Sequence, residues 1–112
     1  MSLTLNEYQS VALQTALFPL DDSGWDYLLS AIPEEVGEFS AIFAKAARNG
    51  RGRKLTTVEK GRAIKELGDI LWNLALAARV LDVSLGAVAV DNIMKLESRR
   101  QRGKIEGNGD HR

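Results

Sequence analysis

No cysteine occurs anywhere in this chain, which removes disulfides, thiolate metal sites and cysteine nucleophiles together. Histidine is nearly as scarce. The single one, His111, falls in the last two residues, so a helix bundle built on the Glu-x-x-His di-iron pattern is excluded. Aromatic residues make up 6% of the chain against 45% for all hydrophobic residues, which points to an aliphatic core of the kind helix bundles use. No apolar run approaches the roughly 18 residues of a membrane span. The opening Met1-Ser2-Leu3-Thr4 has neither the basic nor the apolar region of a secretory signal. A soluble, cytoplasmic protein without a membrane partner is expected. The formal net charge is zero, which argues against broad nucleic-acid binding.

The 112 residues are expected to form one helical domain over 1–102, followed by a Gly-rich polar tail over 103–112. A chain this short buries a limited core alone, so self-association is expected. Charge is segregated: residues 1–47 hold seven Asp/Glu against one Lys, and residues 48–112 hold fourteen Lys/Arg against eight Asp/Glu.

Four helices can be read along the chain. Thr4-Leu5-Asn6-Glu7 has the form of a capping box, and Leu5, Tyr8, Ala12, Thr15 and Ala16 continue it at helical spacing to a stop before Pro19. After the turn Asp21-Asp22-Ser23-Gly24, a second helix is expected from Trp25 to about Arg48. Its apolar stripe is Trp25, Leu28, Leu29, Ile32, Val36, Phe39, Phe43 and Ala47. Pro33 should kink or restart it. Thr56-Thr57-Val58-Glu59 is another capping box. It opens a third helix to about Leu81, with Ile64, Leu67, Leu71, Leu74, Ala78 and Leu81 as its seam. Ser84 caps a fourth helix running to about Arg102.

Two acidic pairs stand out, Glu35/Glu38 and Glu66/Asp69. Three-residue spacing places both members of each pair on one helical face, where like charges destabilise a helix by about 0.2–0.5 kcal/mol. Two such pairs on facing helices require a positive partner, and Mg²⁺, or Mn²⁺, suits an all-carboxylate site. Gly37 and Gly68 lie inside the two motifs, each costing a helix about 0.8–1 kcal/mol against Ala. Close approach of the two helices there would explain them. Glu34, about 100° around the helix from Glu35, is a candidate for an auxiliary acid, a bridging ligand or the base that positions water. Glu59 shares the face of Glu66, but its place in the capping box already accounts for it.

Asn92, Lys95, Arg99 and Arg102 share one face of the fourth helix, either as a solvated basic surface or as phosphate contacts. Lys45, seven residues past Glu38, lies on the ligand face. Trp72 and Asn73, three and four residues past Asp69, are placed to touch a ligand, with core packing as the competing role for Trp72 and for Trp25. Gln9 is a weaker polar candidate of the same kind.

The runs Glu34-Glu35-Val36-Gly37-Glu38 and Lys65-Glu66-Leu67-Gly68-Asp69-Ile70-Leu71-Trp72 resemble the EExxE…ExxD signature of the MazG-type nucleotide pyrophosphohydrolases. Asn92-Ile93-Met94-Lys95-Leu96-Glu97-Ser98-Arg99 and the closing Gly109-Asp110-His111-Arg112 are similar to that family's C-terminal pattern. The resemblance implies an all-α subunit of the all-α NTP pyrophosphatase type. It implies a homodimer or homotetramer whose sites draw on more than one subunit. It further implies Mg²⁺-dependent cleavage of a nucleoside triphosphate to the monophosphate and pyrophosphate. By motif match Glu35, Glu38, Glu66 and Asp69 would hold the metal, Glu34 or Glu38 would assist deprotonation of water, and Asn92, Lys95 and Arg99 would contact phosphate. The rival is a non-catalytic helical module whose acidic faces dock a basic partner.

Overall fold

The structure, a computed structural model, describes residues 1–103; the tail beyond Gly103, with its Gly-Asp-x-Arg ending and His111, lies outside the described residues. Within them are four α-helices and no strand: α1 (Leu5–Leu13), α2 (Trp25–Arg48), α3 (Thr57–Val80) and α4 (Leu85–Gln101), with a 3-10 turn at Asp22–Gly24 before α2. The all-α expectation holds.

The helix starts follow from local chemistry. At α1 the Thr4 hydroxyl accepts from Glu7 N at 3.1 Å and Glu7 returns a bond to Thr4 N at 2.8 Å. Thr56 and Glu59 repeat this reciprocal pairing at α3. Glu59 also takes Arg51 at 2.5 Å, so both residues are engaged in fixing the α2–α3 loop. α1 is shorter than its spacing predicts. It ends at Leu13, because the Thr15 hydroxyl turns back to bond the carbonyl of Ala12 at 2.7 Å. α2 does not restart at Pro33; it is one helix of 24 residues with the proline inside.

α2 and α3 lie side by side and antiparallel. Tyr27 shares a pocket with Trp72, Glu38 meets Glu66, and Lys45 shares a cleft with Arg62, so rising numbers on one helix meet falling numbers on the other. α1 packs on α3, and α4 packs on α1 and α3 but makes no contact with α2. α3 and α4 meet at 97°. No single helix among the described residues is long and apolar enough to cross a membrane.

The core is small. It centres on Ala12, Leu28, Ala75, Leu76, Ala78 and Leu85, ringed by half-buried side chains that include Trp25 and Trp72. The seam expected on α3 is mostly uncovered: Ile64 is 58% exposed, Leu67 51% and Leu81 63%. On α2 the buried residues are Leu28, Ala31, Ile42 and Ala46, while Leu29 and Val36 of the expected stripe are exposed. The helical period is right, but the inward face is rotated by about one residue. The radius of gyration is 16.9 Å, against about 13 Å for a closed domain of this length. The chain is an open shape with apolar faces that it does not cover itself.

Gly37 and Gly68 do not mark a close approach within the chain. A Cβ built at either would meet nothing within 4 Å. Gly68→Ala is therefore expected to raise stability by about 0.5–1 kcal/mol through helix propensity alone, measured by urea denaturation. A loss instead would place another subunit's helix against that position.

Candidate active site in the seam of α2 and α3

The rotation of the α2 seam decides where the acids fall. Leu28, Ala31, Glu35, Glu38, Ile42 and Ala46 follow one another at three- and four-residue steps, so the two glutamates continue the face that α2 turns towards α3, with Glu35 half-buried and Glu38 exposed. On α3, Ala63, Glu66 and Asn73 do the same. The helix–helix interface is thus apolar at both ends and acidic in the middle.

There the carboxylates converge. Glu35, Glu38 and Glu66 each offer an oxygen within 4.8 Å of the others. One oxygen of Glu35 and one of Glu66 are buried without a hydrogen-bond partner. Asp69 stands just outside this group, yet its charge reaches Glu35 and, on α1, Tyr8. Burial first, then the charge of Asp69, pushes the Tyr8 phenol up from its ordinary range. Glu34 is exposed and is not one of the carboxylates that converge.

The electrostatic cost appears at Glu35. Its carboxyl is pushed up to about 7, first by burial, then by the charges of Glu38 and Asp69 and by the adjoining Glu66 carboxyl. Buried oxygens without partners and several acids in one place form an oxygen donor set suited to a hard divalent cation, and the residues fit that role. With no cation, the folded chain holds a proton on Glu35 that the unfolded chain releases near 4.5. Stability from this group is therefore full below about pH 4.5 and is lost as pH rises through about 7. In the presence of a chelator, Glu35→Gln should melt above the parent at pH 8, and the difference should close towards pH 4.5. Thermal unfolding across that range checks it.

Asn73 is 1% exposed and its amide bonds the carbonyl of Asp69 at 2.9 Å, so it braces the turn that carries Asp69. Trp72 is half-buried. Its indole N–H donates to the Thr15 hydroxyl at 2.7 Å, and its ring meets Phe18 edge-on at 6.4 Å. Gln9 is taken up by backbone groups of Ala75, Val83 and Leu85, not by a site. Asn92, Lys95 and Arg99 are carried by α4, which does not touch α2. Within one chain they are not brought to the glutamates. Two residues near the acids escape the sequence reading. Arg62 lines a cleft with Glu38, Lys45 and Glu66, and its signal was available: four residues before Glu66, it shares that face. Tyr8 carried none beyond helical spacing.

Comparison with known proteins gives the family of the chain. The model of the MazG nucleotide pyrophosphohydrolase domain matches residues 25–103, which includes both acidic pairs and all of α4. The Gene 37 protein of Mycobacterium phage L5 is 36% identical over 110 residues, covering 94% of this chain and 96% of that one. No solved structure gives a significant match. The match spans the helices that build the acidic seam, and the chain belongs to the MazG nucleotide pyrophosphohydrolase domain family.

Proposed function

We propose that the protein is a Mg²⁺-dependent hydrolase, with Mn²⁺ as the alternative cation, that converts a nucleoside triphosphate to the monophosphate and pyrophosphate, serving nucleotide-pool control or house-cleaning in the cytoplasm. The observation that carries this is the meeting of Glu35, Glu38 and Glu66 within 4.8 Å where α2 faces α3, with a buried, unpartnered oxygen on Glu35 and on Glu66. Charges so placed are costly unless compensated, and the family acts on nucleotides.

Glu35, Glu38, Glu66 and Asp69 would hold the cation. When bound, it supplies positive charge to phosphate oxygens and makes water a stronger acid. Glu38, the exposed member of the group, would take the proton from the attacking water on a carboxylate oxygen. Glu34, one position from Glu35, assists from the solvent side. Asn73 acts through its bond to Asp69 and not by touching substrate. Trp72 offers an aromatic face to the base.

Asn92, Lys95 and Arg99 would contact phosphate from a second copy of the chain. Support for self-association comes from the exposed stripe Ile64, Leu67 and Leu74 on α3 and from Val90, Ile93 and Met94 on α4. Side chains at these spacings form an apolar stripe on each helix, the kind of surface that marks an interaction site. A homodimer is the simplest assembly that covers them, with a homotetramer as its doubled form.

The test is a panel of canonical and modified nucleoside triphosphates with Mg²⁺, scored for pyrophosphate against orthophosphate. Pyrophosphate release together with a cation-dependent rise in melting temperature is expected. Neither appearing would leave only a helical docking module.

A further inference from the structure

The cleft beside the acidic group has a second chemistry. It measures about 200 Å³ and is lined by Glu38, Ala41, Ile42, Lys45, Arg62 and Glu66. Lys45 and Arg62 are exposed. Among the described residues neither forms an ion pair with the glutamates next to it. Two cations that do not neutralise the neighbouring acids remain available to an anion entering between them.

Position along the helices gives the cleft a direction. Lys45 lies seven residues past Glu38 on α2, and Arg62 lies four residues before Glu66 on α3; both are displaced from the glutamates towards the α2–α3 loop. At the opposite end, Thr15, Leu17, Phe18, Tyr27 and Trp72 line a pocket of about 260 Å³ that is largely apolar. It is smaller than the roughly 300–1,000 Å³ that holds a drug-sized ligand and has room for one planar ring system. Phe18 and Tyr27 pack with ring centres 4.6 Å apart, and the Thr15 hydroxyl fixes the Trp72 indole. Trp72 and Arg62 are ten residues apart, about 15 Å along the axis of α3, with Asp69 and Glu66 between them. Aromatic pocket, carboxylates and cation pair therefore follow one another in that order along the axis of α3.

We propose that this order sets the polarity of the substrate: Lys45 and Arg62 hold the two terminal phosphates, and the aromatic pocket takes the base. The α–β anhydride then lies over the carboxylates. Adding one water across that bond yields the monophosphate at the aromatic end and pyrophosphate at the cation end. Arg's planar fork suits two phosphate oxygens and Lys adds a point charge. This deepens the pyrophosphohydrolase reading and rests on it.

Inorganic pyrophosphate is the probe, used with Mg²⁺ on the full chain. It should inhibit the parent competitively against the triphosphate. Lys45→Met and Arg62→Met should each weaken that inhibition about ten- to a hundredfold, the range for losing a charged hydrogen bond, and raise KM for the triphosphate in step. Their circular dichroism should be unchanged and their cation-induced melting shift undiminished. Tyr27→Ala should raise KM for the nucleotide about tenfold and leave pyrophosphate inhibition alone. If Lys45 and Arg62 only balance the charge of the glutamates, the pyrophosphate inhibition constant stays at the parental value, which overturns the proposal. Inhibition lost in Tyr27→Ala and retained in the other two overturns it as well. A parent that releases no pyrophosphate from any triphosphate fails at the earlier reading and is recognised before any variant is made.

Discussion

Glu38→Gln is expected to lower kcat by about 10³-fold or more while the protein folds as before. General-base catalysis alone accounts for about 10²–10⁴, and Glu38 is also a proposed ligand of the cation. Its side chain is the exposed member of the acidic group, so the substitution leaves no cavity and strips no buried partner. It removes a negative charge that pushes Glu35 up, so without cation the variant should be as stable as the parent or more so at pH 8. Activity and stability should move in opposite directions, as they do where a site is held together against its own repulsion. The melting shift produced by Mg²⁺ should shrink in the same variant, because a ligand stabilises only through its affinity for the folded form. Steady-state kinetics, together with melting curves with and without Mg²⁺, check all three. Retained turnover would remove Glu38 from the chemistry, whatever its position.

How much of this was legible beforehand depends on whether the information was local. The capping residues Thr4, Thr56 and Ser84 could be read because each acts on an amide within three residues of itself. The acidic pairs were legible through spacing, and three of their four carboxylates do meet. The inward face of each helix was not legible. On α2 the bulky residues Leu29 and Val36 mark an apolar stripe, but Ala31 and Ala46 are what the chain buries against α3. A 3–4 repeat reports that a helix has an apolar face; it does not report whether the same chain or another one covers it. The same ambiguity misplaced Ile64, Leu67 and Leu81, and it turned Gly37 and Gly68 into apparent contact points where the structure has open space. Arg62 is not legible alone, because a basic residue near a helix start reads as solvation and only the fold brings Lys45 into the same cleft. The role of Gln9 depends on partners 66 to 76 residues away, and no periodicity encodes them.

That residue carries the largest stability effect expected outside the apolar core. α4 begins at Leu85, so its first amides lack helical acceptors. Each is met by a different side chain: Leu85 N by Gln9 Oε1 at 2.9 Å, Gly86 N by Asn6 Oδ1 at 2.8 Å, and Ala87 N by Ser84 Oγ at 3.1 Å. α1 thus caps α4 across the fold. Gln9, only 7% exposed, also donates to the carbonyls of Ala75 and Val83 at 3.0 and 3.3 Å, tying the end of α3 to the start of α4. Gln9→Leu keeps the bulk and deletes all three bonds; the Ala75 carbonyl keeps its place in the α3 ladder, while the Leu85 amide and the Val83 carbonyl lose their Gln9 partner at about 1–3 kcal/mol each. A loss of about 2–4 kcal/mol in urea denaturation is expected after partial relaxation. Asn6→Ala removes one exposed cap bond and should cost about 1 kcal/mol. In Gln9→Leu the Leu85 amide should also exchange its hydrogen much faster than in the parent. Since α4 carries Lys95 and Arg99, KM for the triphosphate should rise in this variant if those cations serve a neighbouring subunit's site. An unchanged KM beside a lowered urea midpoint would confine Gln9 to the fold.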